Sequence, residues 1–509
     1  MESESRLEIL LLPEPKGYGV QETKIDSTKE HQQLTVKYVE EDEEHTLCDE
    51  VKKAFDLAWP LTVFNVCGFG ILVITVMFVG RHGGELELSS TSMATAFANV
   101  TGFIVILGLA STMETLCGQA YGARKYHLLG VYLQAAWIVG IGVSLGVVCL
   151  WMNMETILTA AGQDPVIAKM AVRYLIYLIP GVFVTAFLQP LVKYLQAQSV
   201  VIPLVVIAVF TVFIHIIICQ IILGTLNYGY TGGALASVLS YAFMLSLVCL
   251  YTWGSGKFKK TWTGLTWEAF TYVGVYLRLA VPSTFMLCLE YWTVEILVLA
   301  AGLLPNPELQ LSLLAIGLNT TNLAFNIPVG LSAAVSTRVA NELGAYRPSA
   351  AKLAGKVIFG ISICCSICIA TSMLLARNIW GKAFSGVEQV ISSVSDLMPL
   401  IALSAIFDGI QGVLSGIARG TGRQDMGAII NLTAFYIVGL PSGIFFGFVW
   451  KMSGKGLWIG LLLGQSAQAL LLGLLVATFD WHKMSEEALK RIQFHHSLAN
   501  KIENLSGAD

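Results

Sequence analysis

The sequence predicts an all-α membrane protein, with twelve transmembrane helices arranged as two pseudo-symmetric six-helix bundles. The chain has 509 residues, of which 55% are hydrophobic and only 13% are charged. A soluble domain has about 25% charged residues. Apolar runs of about 20 residues, which is the length that crosses a hydrocarbon core as a helix, recur along the whole chain. The second half of the chain also repeats the pattern of the first half, so the fold is predicted to be a duplicated bundle.

Each apolar run is bounded by polar or glycine-rich segments and is long enough to cross the bilayer once. In chain order, the predicted spans are residues 54–80, 91–113, 128–151, 167–190, 200–223, 231–253, 272–302, 311–336, 353–377, 394–416, 426–449 and 456–479.

Polar segments divide the chain around these spans. Residues 1–50 are acidic and are predicted to form a disordered cytosolic tail. The first bundle then covers residues 51–255, a basic cytosolic linker covers 256–272, and the second bundle covers 273–480. Residues 481–509 are predicted to form a second cytosolic tail. Both termini are placed in the cytosol because the loops on their side hold more Lys and Arg than the opposite loops.

The internal repeat is visible when the sequence is aligned with itself at an offset of 222 residues. LAWP (57–60) then falls on LAVP (279–282), and GLASTMETLCGQAYGA (108–123) falls on GLSAAVSTRVANELGA (330–345) without a gap. Each half has an even number of spans, so the two copies have the same orientation and are related by an axis along the membrane normal. Two similar bundles that face each other across a cavity form the arrangement that alternating access requires.

Three carboxyl groups interrupt the spans of the second half. Glu290 and Glu295 lie in LCLEYWTVEIL of span seven, and Asp408 lies in SAIFDGIQGVLSG of span ten. A charge at the centre of a bilayer costs roughly 3 kcal/mol, so an ionisable group there suggests a function. The repeat pairs these three positions with residues of the first half that are not acidic: Gly68, Val73 and Ala186.

Glu290, Asp408 and Glu295 are the predicted proton-coupling residues. Apolar surroundings favour the neutral, protonated form of a carboxyl group. Protonation also removes the charge that a cationic substrate would pair with, so the proton and the substrate can exclude each other. Glu290 and Glu295 lie about 140° apart around a helix, so one can point into the lobe while the other points to the cavity or to a neighbouring helix. The alternative is a neutral carboxyl group that is hydrogen-bonded for packing.

Other polar and helix-breaking residues are candidates for substrate contact or movement. Pro328 and Gly330 in span eight and Pro441 in span eleven are hinge candidates, because proline removes a backbone hydrogen bond; a static kink explains them equally well. Taken singly, polar residues in such positions more often make hydrogen bonds between helices. The candidates for substrate binding are Tyr291, Asn319, Asn326, Asn431 and Tyr436.

Four segments have the length and detail of family motifs: METLCGQAYGA (113–123), IPVGLSAAVSTRVANELGA (327–345), GVLSGIARGTGRQDMGAIINLTAFYIVGLP (412–441) and CLEYWTVEIL (288–297). They resemble segments of plant members of the multidrug and toxic compound extrusion (MATE) family, of the detoxification type. The resemblance runs from about Val51 to Trp481 and implies twelve helices in two lobes. It also implies proton coupling by second-lobe acids, which correspond to Glu290 in CLEYW and Asp408 in FDGIQG.

The resemblance implies a proton-coupled antiporter, not an enzyme, that moves small organic molecules out of the cytosol. Protons are the coupling ion, and no other cofactor or metal is expected. The carboxylates favour cationic alkaloids as substrates, whereas the tyrosines and asparagines also suit flavonoid or phenolic conjugates. The expected partners are the substrate and the lipid bilayer, without nucleic acid, and a monomer is expected. The vacuolar membrane is favoured over the plasma membrane.

Three other functions are weighed against this one. A lipid-linked flippase would need a more basic cavity for a pyrophosphate headgroup. A membrane enzyme is disfavoured, because no HExxH, GxSxG or phosphate-binding glycine loop lies in a suitable context. A channel would have no need for a proton site that is restricted to one lobe.

Overall fold

Twelve long helices make up most of the described part of the chain, as the apolar runs predict. The structure is a computed structural model that describes residues 46–160, 162, 164–384 and 387–492. Helices suit a membrane because each backbone N–H and C=O is hydrogen-bonded within its own segment. The helices that are long and apolar enough to cross a membrane are α1 Leu47–His82, α2 Leu86–Gly122, α3 Tyr126–Met152, α4 Pro165–Ala197, α5 Ile202–Thr225, α6 Thr231–Gly254, α7 Glu268–Ala301, α8 Pro307–Gly344, α9 Pro348–Ala383, α10 Glu388–Thr421, α11 Gln424–Val449 and α12 Ser453–Ala477.

The first lobe (α1–α6) and the second lobe (α7–α12) are related by a pseudo-twofold arrangement of contacts. Gly108 of α2 lies against Thr284 of α7. The repeat counterparts of these two residues make the same contact, since Gly330 of α8 lies against Thr62 of α1. A Cβ atom at Gly108 would lie 2.6 Å from the Cα atom of Thr284, so a glycine is needed for this approach. Gly118 lies against Ala340, its own repeat partner. Helices α2 and α8 therefore meet at the pseudo-twofold axis.

The lobes are joined mainly at the linker end, which is the end of the bundle that holds residues 255–267. In the half of the bundle nearer this end, Ser111 of α2 and Ser283 of α7 have hydroxyl oxygens 2.7 Å apart, and Tyr276 donates to the carbonyl of Leu109 at 2.6 Å. Towards the other end, Trp292 donates to the carbonyl of Val100 at 3.2 Å. Beyond Trp292, no hydrogen bond links the lobes within the described part of the chain. The structure is therefore closed at the linker end.

Helix α1 begins earlier than the sequence predicts. The sequence predicts a disordered tail up to residue 50, but residues 47–50 form the first turn of α1. Thr46 caps this turn by accepting from the Asp49 amide at 3.3 Å. Glu50 then accepts two hydrogen bonds from Arg338 of α8, at 3.0 and 2.9 Å, so a contact with the second lobe orders the turn. The rest of the predicted tail, residues 1–45, lies outside the described residues.

Helix α7 also begins earlier than residue 273, the predicted start of the second bundle. The amide of Glu268, its first residue, donates to the Thr266 hydroxyl at 3.2 Å. The linker is fixed against α3, because Gln134 donates to the Gly264 carbonyl at 2.9 Å and accepts from the Thr266 amide at 2.8 Å. A polar linker composition does not reveal these docking contacts.

The predicted C-terminal tail contains a helix over residues 481–492, which we call the C-terminal helix. Met484 and Ala488 are buried in a core cluster of the second lobe, whereas Ile492 is buried in the cluster that fills the first lobe. Arg491 donates to Gln119 of α2 at 2.5 Å. This helix therefore contacts both lobes at the linker end, and residues 493–509 lie outside the part that the structure describes.

The two predicted hinge regions differ. Helix α8 continues as an unbroken α-helix through Pro328 and Gly330, where it packs against α1, α2 and α10. In α11, Pro441 lies between the π-helical stretches Leu432–Gly439 and Phe445–Val449. A local change of helical winding therefore occurs around Pro441, and none occurs at Pro328.

Candidate functional site

Glu290 and Asp408 lie in one polar network inside the second lobe. Glu290 of α7 accepts a hydrogen bond from the Gln411 amide of α10 at 3.0 Å. Asp408, also on α10 and only 4% exposed, accepts from the Gln465 amide of α12 at 2.7 Å. The Gln411 side chain also lies beside Asp408. Residues three apart share a helix face, so α10 presents Asp408 and Gln411 together towards α7 and α12.

Asn431 extends the network to α11. Its amide nitrogen donates to the carbonyl of Met286 on α7 at 2.6 Å, and its oxygen accepts from Gln468 of α12 at 2.9 Å. The Gln468 side chain also lies beside Glu290. Asn431 is 1% exposed, and its two hydrogen bonds hold α7, α11 and α12 together around the acids.

The network can accommodate both protonation states of its acids. The oxygens of Gln465 and Gln468 are buried and have no hydrogen-bond partner among the described residues. A carboxylate can only accept a hydrogen bond, whereas a protonated carboxyl group can also donate one. An amide serves either state, since its nitrogen donates to a carboxylate and, after rotation, its oxygen accepts from a carboxylic acid. A proton can therefore bind here without leaving a carboxyl group unpaired.

The counterparts of Glu290 and Asp408 in the first lobe have no carboxyl group that could bind a proton. Gly68 is the counterpart of Glu290, and a Cβ atom added there would meet no atom of another segment within 4 Å. Ala186 is the counterpart of Asp408 and is buried. Gln189, the counterpart of Gln411, keeps the amide, but neither Gly68 nor Ala186 supplies a carboxyl group for it. The duplicated scaffold thus carries this acid network in the second lobe.

Glu295 occupies a different place. It lies about three turns along α7 from Thr284 and on nearly the same face, and Thr284 packs against Gly108 of the first lobe. Glu295 is half-buried, and no hydrogen bond connects its carboxyl group to the network in the described part of the chain. The 140° separation from Glu290 therefore directs Glu290 into the second lobe and Glu295 towards the first.

The remaining predicted site residues fall into two groups. Tyr291 lies beside Glu290 and Asp408, and Tyr436 packs against a core cluster of the second lobe. Asn319 is exposed on α8, and Asn326 is half-buried there, with its nitrogen 2.9 Å from the carbonyl of Asn322. The structure thus brings Tyr291 and Asn431 to the acids, whereas it places Asn319 and Asn326 along α8.

Sequence reasoning missed a buried ion cluster that joins the lobes. Glu114 of α2 is 2% exposed and pairs with Lys193 of α4 at 2.6 Å and with Arg419 of α10 at 3.1 Å. Arg419 also donates to the Ser332 hydroxyl of α8 at 2.8 Å. The available signal was a polar side chain next to apolar sequence, at Glu114 in METLC, which directly follows the predicted span 91–113. The same signal marks the missed amides Gln465 and Gln468, which interrupt the apolar segment GLLLGQSAQALLLG.

Comparison with known proteins identifies the family. The family model MatE matches residues 60–221 and again residues 282–445, and the two matches begin 222 residues apart, as do the internal repeats. Protein DETOXIFICATION 16 of Arabidopsis thaliana is 43% identical over 456 residues, which cover 90% of this chain and 94% of that protein. Protein DETOXIFICATION 14 of the same plant is 42% identical over 446 residues, covering 87% of this chain and 91% of that protein.

Solved structures agree with this assignment. The crystal structure of the eukaryotic MATE transporter AtDTX14 superimposes with a TM-score of 0.83 at 41% identity, covering 88% of this chain and 99% of that chain. The outward-facing conformation of a multidrug resistance MATE family transporter of the MOP superfamily gives a TM-score of 0.75 at 15% identity, covering 87% of this chain and 97% of that chain. This second likeness concerns the fold alone. The chain belongs to the MATE family of multidrug and detoxification transporters.

Proposed function

We propose that this transporter is a proton-coupled antiporter that moves small organic molecules out of the cytosol by alternating access. Glu290 and Asp408 carry the exchanged proton. The observation that supports this most is the network of two carboxyl groups held by neutral amides inside the second lobe. A buried carboxylate with neutral partners is costly, which favours uptake of a proton whenever the lobe is open to an acidic compartment.

The proposed substrates are organic cations, because a deprotonated acid attracts a cation and a protonated acid does not. Glu295 faces the first lobe and adds negative charge on that side of α7. Flavonoid or phenolic conjugates are the alternative substrates, and the exposed amide of Asn319 favours them. Because the proton and the organic cation exclude each other, binding of one lowers the affinity for the other, as an antiport cycle requires.

The proposed location is the vacuolar membrane, with the plasma membrane as the alternative, and the transporter acts there as a monomer. Both termini and the linker face the cytosol in this proposal, in accordance with the excess of Lys and Arg in the loops on that side. In this orientation the linker end is the cytosolic end, so the conformation described here is closed towards the cytosol.

The proposal is tested with the full chain in proteoliposomes and with ethidium, a permanently charged organic cation. An acidic lumen should drive ethidium uptake, and an ionophore that exchanges protons for potassium should abolish it. An equal sodium gradient should have no effect, and protein-free vesicles give the background. Uptake that follows the sodium gradient and ignores the pH gradient would contradict proton coupling.

A further inference from the structure

We propose that α1 and α8 enclose a recess whose amide side chains bind the uncharged, hydroxyl- or amide-bearing part of a transported molecule. The recess is lined by Asn319, Asn322 and Asn326 of α8, and it lies beyond the contact between Thr62 and Gly330. This inference rests on the proposed function, in which an organic substrate passes between the lobes.

The three asparagines continue the face of α8 that packs on the first lobe. An interval of 18 residues is about five helical turns, so residues separated by 18 point the same way. Asn319 is thereby aligned with Thr337, Asn322 with Ala340, and Asn326 with Gly344. Each of these aligned residues contacts the first lobe: Thr337 accepts from Gln196 at 2.9 Å, Ala340 touches Gly118, and Gly344 touches Gln119.

The amides are accessible and incompletely paired. Asn319 and Asn322 are exposed, and neither side chain has a hydrogen-bond partner among the described residues. Asn326 directs its nitrogen to the Asn322 carbonyl, which leaves its oxygen free to accept. Unpaired amides that faced hydrocarbon would each cost several kcal/mol, whereas amides that face a water-filled cleft cost little. Their exposure on the face that points towards the first lobe therefore indicates a cleft.

The pseudo-twofold relation shows why space remains on this side of the molecule. On the opposite side, the Trp292 indole of α7 reaches across to the carbonyl of Val100 on α2. In the internal repeat, the counterpart of Trp292 is Gly70 of α1, and the counterpart of Val100 is Asn322 of α8. A Cβ atom at Gly70 would meet no atom within 4 Å. One side is thus bridged by a tryptophan, and the other is left open beside Asn322.

The amides are also specific to this side of the molecule. The counterparts of Asn319, Asn322 and Asn326 in α2 are apolar. Across the recess, Asn65 of α1 lies one turn beyond Leu61, which is buried in a core cluster of the second lobe, so Asn65 also faces α8. The α2 counterparts of the three asparagines are Phe97, Val100 and Ile104.

An amide group offers two donors and an acceptor without net charge. Such a set pairs well with hydroxyl and amide groups and gives no charge attraction to a quaternary cation. The recess therefore distinguishes substrates by their hydrogen-bonding groups, while the acids of the second lobe respond to charge. The ligand chemistry that fits is an organic molecule with several neutral hydroxyl groups, such as a sugar conjugate.

The test measures equilibrium binding to the detergent-solubilised full chain without any ion gradient. The probes are a flavonol monoglucoside, which carries many hydroxyl groups, and tetraphenylphosphonium, which has no hydrogen-bonding group. A hydrogen bond is worth about 3- to 10-fold in affinity, so the triple variant Asn319→Leu, Asn322→Leu, Asn326→Leu should weaken glucoside binding at least about 10-fold. Its affinity for tetraphenylphosphonium should change less than about 3-fold.

A second variant tests whether a ligand enters the recess between α1 and α8. Gly70→Trp places on α1 the side chain that bridges the opposite side, so it should block the glucoside and leave tetraphenylphosphonium binding in place. Asn153→Leu, which removes an exposed amide after α3, is the matched control and should bind both probes like the unmodified chain.

Each of three results would contradict the proposed recess. They are no glucoside binding by the unmodified chain, unchanged glucoside binding in both variants, and an equal loss of affinity for both probes in both variants. Because no gradient is used, these results are independent of proton coupling. Failure of proton-driven transport with normal glucoside selectivity would reject the proposed coupling and leave the recess intact.

Discussion

A carboxyl group that is paired with an amide can change its protonation state without losing its hydrogen bonds. Asp408 and Glu290 have this arrangement, with Gln465 and Gln411 as their partners. Glu114 has the opposite arrangement, since it is paired with both Lys193 and Arg419. Two cations stabilise its charged form, so Glu114 acts in holding the lobes together, and the amide-paired acids are the ones suited to proton exchange.

Glu295 provides a prediction at the residue scale. Glu295→Gln should keep most pH-driven transport, with a loss of less than about 3-fold, because its carboxyl group lies on another face of α7 from the network. Its affinity for an organic cation should fall modestly, since a charge facing the first lobe is removed. Initial rates of ethidium uptake, at matched protein levels, measure both effects. A complete loss of pH-driven uptake in this variant would assign the coupling role to Glu295.

The acids themselves were predictable from the sequence, because an ionisable group in an apolar span stands out without any structure. Their pairing with Gln465 and Gln468 was not, because these amides come from a helix far along the chain. Asn431 was predicted as a substrate contact, and the structure buries it between α7 and α12. Sequence position alone does not tell which face of α11 points inward, because the span is apolar on all sides.

At the scale of helices, interactions between buried charges hold α2, α4, α8 and α10 together at the linker end. Arg419 contacts Glu114 through Nε and Ser332 through Nη2. Arg338 contacts both Glu50 and Glu342, the latter at 2.7 Å. These arginines connect helices from both lobes, and their planar groups satisfy two partners at once.

Arg419→Lys should therefore destabilise the protein more than it alters substrate choice. A lysine keeps the charge but cannot reach both Glu114 and Ser332 in the same geometry, and disrupting a buried ion pair costs about 3 kcal/mol. Arg423→Lys is the matched control, because its pair with Glu487 is partly exposed and is worth about 1 kcal/mol or less. Thermal unfolding in detergent measures the difference. A changed substrate preference with unchanged stability would contradict this role.

The number of helices followed from the sequence because each apolar run must span the bilayer. The ends of the helices did not, because they depend on contacts between distant segments. The first turn of α1 is fixed by Arg338, and the start of α7 by Thr266 and by the docking of the linker on Gln134. The continuity of α8 through Pro328 likewise depends on packing against three neighbouring helices.

At the scale of the whole molecule, the two lobes meet at the linker end and must separate there if access alternates. The hydroxyl oxygens of Ser111 and Ser283 lie 2.7 Å apart across this contact. Replacing both by cysteine places two sulfurs within reach of a disulfide bond. In a background without the native cysteines, oxidation should stop transport, and reduction should restore it.

The single variants Ser111→Cys and Ser283→Cys control for oxidation of each cysteine alone and should keep their activity. Continued transport by a fully cross-linked protein would show that these helices do not separate during the cycle. The C-terminal helix crosses the same contact through Ile492 and Arg491, so it must also shift when the linker end opens.

The central claim is that Glu290 and Asp408 hold the exchanged proton, and uptake against an imposed pH gradient tests it most directly. Glu290→Gln and Asp408→Asn imitate the protonated state permanently, and both should fold, because an amide is less costly to bury than a charge. Glu155→Gln, at an exposed acid between α3 and α4, is the control for expression and handling. We expect pH-driven ethidium uptake to fall to background in both network variants and to persist in the control. Full pH-driven uptake in both network variants would contradict the account, and the two acids would then serve only the packing of the second lobe.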